Sequence, residues 1–161
     1  MDVLLAIPQI ILVIAIVGVL GRANLMIAVG ISQASRYARV VRASALTVRG
    51  QEYVEAARAI GASDTRIILE NILPNCMAPI IVQSTLGVAQ AILSAAALSF
   101  LGLGIQPPTA EWGSMLSSGR QFLRNAPYLT FFPGLAISIV VLALNIFGDG
   151  LRDSLDPKLR Q

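Results

Sequence analysis

Four stretches of apolar residues, separated by shorter polar ones, organise the chain. The first, Val3 to Leu20, is apolar apart from Pro8, Gln9 and Gly18, and its length suffices to cross about 30 Å of hydrocarbon as a helix. Two further blocks, Cys76 to about Leu101 and Leu129 to Phe147 with Pro133 near its start, are also long enough to span. Between the first and second of these lies a weaker stretch, Ala23 to Gln33, whose 11 residues fall short of a span on their own. Continued to about Tyr37 it reaches spanning length, with Ser32, Gln33 and Ser35 placed inside a bundle. We expect four spans on this pattern.

Charge then sets the orientation. The segment from Arg36 to Arg66 holds six arginines, whereas Gly102 to Tyr128 holds only Arg120 and Arg124. The positive-inside bias therefore puts Arg36 to Pro74 and the tail after Asp149, with Arg152, Lys158 and Arg160, in the cytoplasm, and Gly102 to Tyr128 outside. Gln106 to Trp112, with Pro107 and Pro108, is expected to be irregular, and Trp112 and Tyr128 suit a membrane interface.

Composition supports a lipid solvent. Apolar residues make up 55% and charged ones 13%, against about 25% charged in an ordinary soluble chain, and mean hydropathy is +0.72. The net charge of +3 is spread between apolar blocks, so no basic face for nucleic acid is expected. With no histidine and a single cysteine, Cys76, the chain lacks the commonest general base and metal ligand and any intrachain disulfide. Cys76 is read as a small apolar residue at a helix start. The first apolar run lacks a basic leader and a cleavage site, so it is expected to remain as an anchor.

The cytoplasmic segment carries the local pattern of helices broken by punctuation. From Gln51 to Ile60, Tyr53, Val54, Ala56, Ala57 and Ile60 recur at helical spacing, opposite Gln51, Glu52, Glu55 and Arg58. Gly61 offers a positive-φ residue to end this helix, Ser63 a cap for the next, and Asp64 a negative charge near its start. The second helix is expected to bury Ile68, Leu69, Ile72 and Leu73 before Pro74 interrupts it.

Glu55-Ala56-Ala57, Gly61 four residues on, and Leu73-Pro74 twelve and thirteen residues after the glycine resemble the EAA loop of ABC importer permeases. YVEAARAIGASDTRIIL, ALSFLGLGIQPPTAEWGSML and GDGLRDSLDPKLR are similar to the dipeptide, oligopeptide and nickel branch, so the resemblance covers nearly the whole chain. One departure is Asn71, where many members have an aliphatic residue. The resemblance implies an all-α polytopic membrane helix bundle, with about four transmembrane helices here and a cytoplasmic helix-turn-helix coupling loop, forming one permease domain over 1–161. DVLLAIP looks like the family's third span, which implies that two spans precede it in the family and that Met1 can be internal.

The resemblance also implies a function. The chain would be a non-catalytic permease subunit of the bacterial cytoplasmic membrane, without cofactor or metal. It would import short peptides or similar solutes, nickel complexes included, by alternating access. Its partners would be ATP-binding subunits, a second permease subunit, an extracytoplasmic solute-binding protein and the lipid bilayer. Glu55, Ala56, Ala57, Arg58, Gly61 and Asp64 would contact the ATP-binding subunit. The loop between Gly102 and Tyr128 would either dock the binding protein or simply shield the bundle.

Other constellations are weighed against blander readings. Gln83, Gly87, Gln90 and Ser94 share one helical face and serve either helix packing or the translocation path. Arg36, Arg39 and Arg42 superficially resemble a voltage sensor but sit where topology anchors belong. Asp149, Asp153 and Asp156 lack the spacing of a calcium loop. An intramembrane hydrolase would need a histidine or paired carboxylates at membrane depth, and a channel would conduct without ATP.

Overall fold

Pro8, in an extended conformation (φ −54°, ψ 130°), marks the start of the first described helix, because its missing N–H and fixed φ suit a helix entrance better than a helix interior. The computed structural model describes residues 7–21 and 24–155, and residues 3 to 6 of the expected first span lie outside them. Helix α1 covers Gln9–Leu20, about 18 Å at 1.5 Å per residue, so the described part of that block is shorter than a full span. Gly21, at φ 83°, turns the chain.

Helix α2 covers Leu25–Arg49 without interruption. Arginine and alanine are strong helix formers, so the fall in hydropathy after Gln33 marks a change of surroundings and not the end of the helix. Helix α3 is Glu52–Ala59.

The next element runs from Asp64 to Phe100 as one helix, α4. Pro74 does not interrupt it, contrary to expectation. The turns ahead of the proline widen into a π-helical segment, Ile67–Ile72, and the Leu73 N–H bonds the Ile68 carbonyl five residues back. The wider turn makes room where the proline ring would press on the Glu70 carbonyl. The inward residue of this stretch also differs: Ile67 is buried, Ile68, Leu69 and Leu73 are exposed and Ile72 is half-buried.

Past Phe100 the chain is irregular through the prolines, as expected, but a short helix not expected from the sequence, α5 (Trp112–Gly119), follows. The Glu111 carboxylate caps it by accepting the Ser114 N–H at 2.7 Å. Glycines seat it: Gly113 lies on the Ala96 backbone of α4 and Gly119 on the Leu129 backbone, with no room for a Cβ at either. Helix α6, Tyr128–Leu155, carries Pro133 near its start and continues beyond Phe147 through Asp149, Arg152 and Asp153. Asp156 lies outside the described residues.

Neighbouring helices pack in sequence: α1 on α2, α2 on α4, and α4 on α6, with α5 wedged against α4 and α6. Val13 and Val17 of α1, Leu25, Ala28 and Val29 of α2, and Ala95 and Leu98 of α4 form the core. Helices α4 and α6 are long and apolar enough to cross a membrane, and their most apolar windows are only 17% and 11% buried within the chain. A core helix of a soluble protein would be mostly covered. Leu142, Ile146 and Phe147 instead point outward from α6, as lipid or another membrane helix requires. The described residues are thus an all-α arrangement of membrane type.

Candidate coupling surface and intramembrane polar layer

Helix α3 is held to the rest of the chain by little. Val54 is its buried residue, at 1% exposure, and Ala57 is half-buried, whereas Glu52, Tyr53, Glu55, Ala56, Arg58 and Ile60 are exposed. The apolar face of this helix is therefore divided. Tyr53, Ala56 and Ile60, spaced i, i+3 and i+7, form an outward stripe, and Ile60 is 86% exposed. Glu52 and Glu55 in the first turn and Arg58 in the last complement the helix dipole.

The end of α3 is defined by hydrogen bonds. Gly61 N–H bonds the Arg58 carbonyl at 3.0 Å and Ala62 N–H bonds the Ala57 carbonyl at 3.1 Å, the paired bonds of a Schellman cap, with Gly61 at φ 85° in its left-handed position. Ser63 then accepts the Arg66 N–H at 3.4 Å, and Arg66 pairs with Glu70 at 2.8 Å. The two helices fold back on each other about this turn. One cleft of about 310 Å³ is lined by Ala57, Ile60, Gly61, Ala62, Arg66, Glu70 and Asn71. A second, of about 670 Å³, brings Arg58 and Asp64 together with Arg49, Ile67, Ile68 and Ile72. Glu55 and Ala56 stand on the exposed surface of the same helix, so the six sequence-derived residues gather around one protruding turn.

The polar stripe on α4 is split between two environments. Gly87 and Ser94 are buried, Gln83 is half-buried and Gln90 exposed. Gly87 lies under the Tyr37 ring and hydroxyl, where a Cβ would collide. Gln33 donates from Nε2 to the Gly87 carbonyl at 3.2 Å, and Tyr37 donates to the Gln83 carbonyl at 3.3 Å. Ser94 returns its hydroxyl to the Gln90 carbonyl at 2.8 Å. Gly87 thus serves helix packing. Gln33 and Ser35 are buried as their place inside a bundle requires, but Tyr37 as the partner of this face carried no signal, being one aromatic among topology arginines. One turn away, Arg36 donates to Gln9 Oε1 at 3.2 Å, tying α2 to the start of α1. Gln9 Nε2 and Gln33 Oε1 are buried without a partner among the described residues. No cluster of three metal-ligating side chains occurs among the described residues.

This arrangement offers contact surfaces and a polar layer between helices. Residues 1–161 match the family described as binding-protein-dependent transport system inner membrane component. The chain is 52% identical over 161 residues to the dipeptide transport system permease protein of Alkalihalophilus pseudofirmus, covering 99% of this chain and 53% of that protein. It is 51% identical over 162 residues to the di/tripeptide transport system permease protein of Pseudomonas aeruginosa, covering 99% of this chain and 54% of that one. A glutathione transport system permease protein of Escherichia coli is 52% identical over 161 residues, 99% of this chain and 53% of its own length. The chain spans about half the length of these curated relatives.

Proposed function

The chain belongs to the binding-protein-dependent transport system inner membrane component family, whose members are transport components and not enzymes, and from that premise we propose that it acts as the permease part of an ATP-driven importer of short peptides. The observation that carries this reading is the exposed α3 stripe of Tyr53, Ala56 and Ile60 beside Glu55, joined through the Gly61 turn to the membrane-crossing helix α4.

An apolar stripe on a polar loop is stabilised by a partner that covers it, and an ATP-binding subunit supplies a cleft for it. Ala56 permits close approach, and Glu55 offers charge-assisted hydrogen bonds to cationic groups of that partner. Because α4 runs unbroken from Asp64 to Phe100, displacement of the coupling turn reaches the far end of the span. The two nucleotide states then have to make different contacts with the turn, as any ligand-driven shift requires.

Arg36 to Pro74 and the region after Asp149 face the cytoplasm on this reading, and Gly102 to Tyr128 faces the solute-binding protein. The chain works as one transmembrane unit beside a second permease subunit in the bacterial cytoplasmic membrane, with α1 and α2 crossing next to α4 and α6. Gln83, Gly87, Gln90 and Ser94 are proposed for the translocation path as a face whose buried members hold α2 while Gln83 and Gln90 remain available to the solute. The named solutes of the relatives, dipeptides, tripeptides and glutathione, share a small peptide backbone, and that is the class proposed here. Proteoliposomes holding the assembled transporter are expected to accumulate a radiolabelled dipeptide only with ATP inside and binding protein outside. Uptake that persists without ATP would instead mark a passive pore.

A further inference from the structure

On the side of the bundle where α2, α4 and α6 approach the cytoplasm, a cleft of about 520 Å³ is lined by Val40, Asn75, Ala78, Pro79, Val82, Gln83, Leu86, Arg152 and Leu155. Its size lies in the range of ligand pockets. Its walls divide by chemistry. Val40, Val82, Leu86 and Leu155 are aliphatic, and the polar groups are Asn75, Gln83 and a single cation, Arg152.

Depth along the helices locates it. From Tyr128 at the outer end of α6 to Arg152 the helix rises about 36 Å, the hydrocarbon thickness plus a few ångströms, so Arg152 reaches the inner headgroup layer. Arg152 makes no hydrogen bond or ion pair with any described residue, and Asp149 and Asp153 of the same helix do not line the cleft. A second polar feature lies opposite. Pro79 has no N–H to give the Asn75 carbonyl four residues back, so that carbonyl lacks its helical donor, and both residues line the cleft.

We propose that this cleft holds one anionic phospholipid of the inner leaflet, phosphate on Arg152 and an acyl chain along Val82 and Leu86. A guanidinium at headgroup depth with no partner among the described residues matches a phosphate in charge and geometry. The Asn75 carbonyl suits a headgroup carrying hydroxyl donors, so phosphatidylglycerol fits better than a zwitterionic choline lipid. A bound lipid here would fasten α6 to α2 and α4 at the end of the bundle nearest the coupling turn.

The full chain is reconstituted into nanodiscs of phosphatidylcholine with a minor fraction of phosphatidylglycerol, extracted in mild detergent, and its retained lipids are counted by native mass spectrometry. The expected result is preferential retention of phosphatidylglycerol, reduced about fivefold in Arg152→Gln, as loss of ~1 kcal/mol for one basic residue at an anionic surface implies. Arg124→Gln, in the Gly102 to Tyr128 connection, should retain as much as the unmodified chain. Ala78→Trp, which fills the cleft, should lose both lipids. If that variant fails to insert, Arg152→Gln carries the test. Equal retention of the two lipids, unchanged retention in Arg152→Gln, or displacement by inorganic phosphate alone would overturn the proposal, the last by marking a simple anion site.

Discussion

Replacing Gly113 by valine is expected to unseat α5 from the bundle. A Cβ at Gly113 would fall within van der Waals overlap of the Ala96 carbonyl oxygen, Cα and carbonyl carbon, and these are backbone atoms in the interior of α4 that cannot rotate aside. Overpacking of this kind costs about 1–3 kcal/mol, or roughly 2–12 °C in the unfolding midpoint of a chain of this size. Trp112, the sole tryptophan, adjoins the site, so its emission reports the loss directly. Gly150→Ala is the matched control, because nothing lies within 4 Å of a Cβ there; removing a helical glycine should be neutral or slightly stabilising. A Gly113→Val protein that melts with the unmodified chain would show that α5 does not rest on α4 as described.

Substitution of Gly61 should act on coupling and leave insertion intact. No atom lies within 4 Å of a Cβ built on Gly61, so space is not limiting, but its φ of 85° is. Left-handed geometry costs an ordinary L-residue about 1–2 kcal/mol, less for asparagine and more for a β-branched residue. The expected order of lost activity is therefore Asn, then Ala, then Val. Gly61→Val releases the Schellman bonds to Arg58 and Ala57 and lets α3 swing relative to α4. Peptide-stimulated ATP hydrolysis in the assembled transporter should fall by roughly tenfold, the equivalent of ~1.4 kcal/mol in the coupled state, at unchanged membrane levels. A ranking in which asparagine is as damaging as valine would point to glycine's size instead of its conformation.

What could be read from residue order alone depended on whether the relevant contact is local. Gly61 and Ser63 were legible because a helix cap is decided by the residues that form it, and the irregular stretch after Phe100 because Pro107 and Pro108 exclude a helix. Hydropathy was a poorer guide to helix ends. It registered the loss of apolar character after Gln33, while α2 continues to Arg49 on the helix propensity of its arginines and alanines. Pro74 misled for a related reason: a proline stops a helix only if the preceding turn cannot widen, and the Ile67–Ile72 turns do widen.

Burial on the coupling segment was misjudged in one consistent direction. Ile68, Leu69 and Leu73 follow the spacing of a core face, yet they are exposed. Periodicity reports that a face is apolar and says nothing of whether its cover belongs to the same chain. On α4, spacings of four, three and four placed Gln83, Gly87, Gln90 and Ser94 on one helical face, but only the fold reveals that Tyr37 crosses over Gly87. That contact joins residues fifty positions apart in the chain, and no local pattern contains it. Helix α5 escaped notice because its stability comes from glycine seats on α4 and α6, which are likewise distant in sequence.

The central claim is that α3 is the surface on which an ATP-binding subunit acts, and photo-cross-linking tests it most directly. A photoreactive residue is placed at exposed Ala56 and, separately, at exposed Ser118 of α5, in the assembled transporter in native membranes. The account predicts an adduct between the Ala56 variant and the ATP-binding subunit whose yield changes when ATP is added, and no such adduct from Ser118 on the opposite side of the membrane. Absence of the adduct at Ala56 in an assembled transporter, or an equal adduct from Ser118, would contradict it.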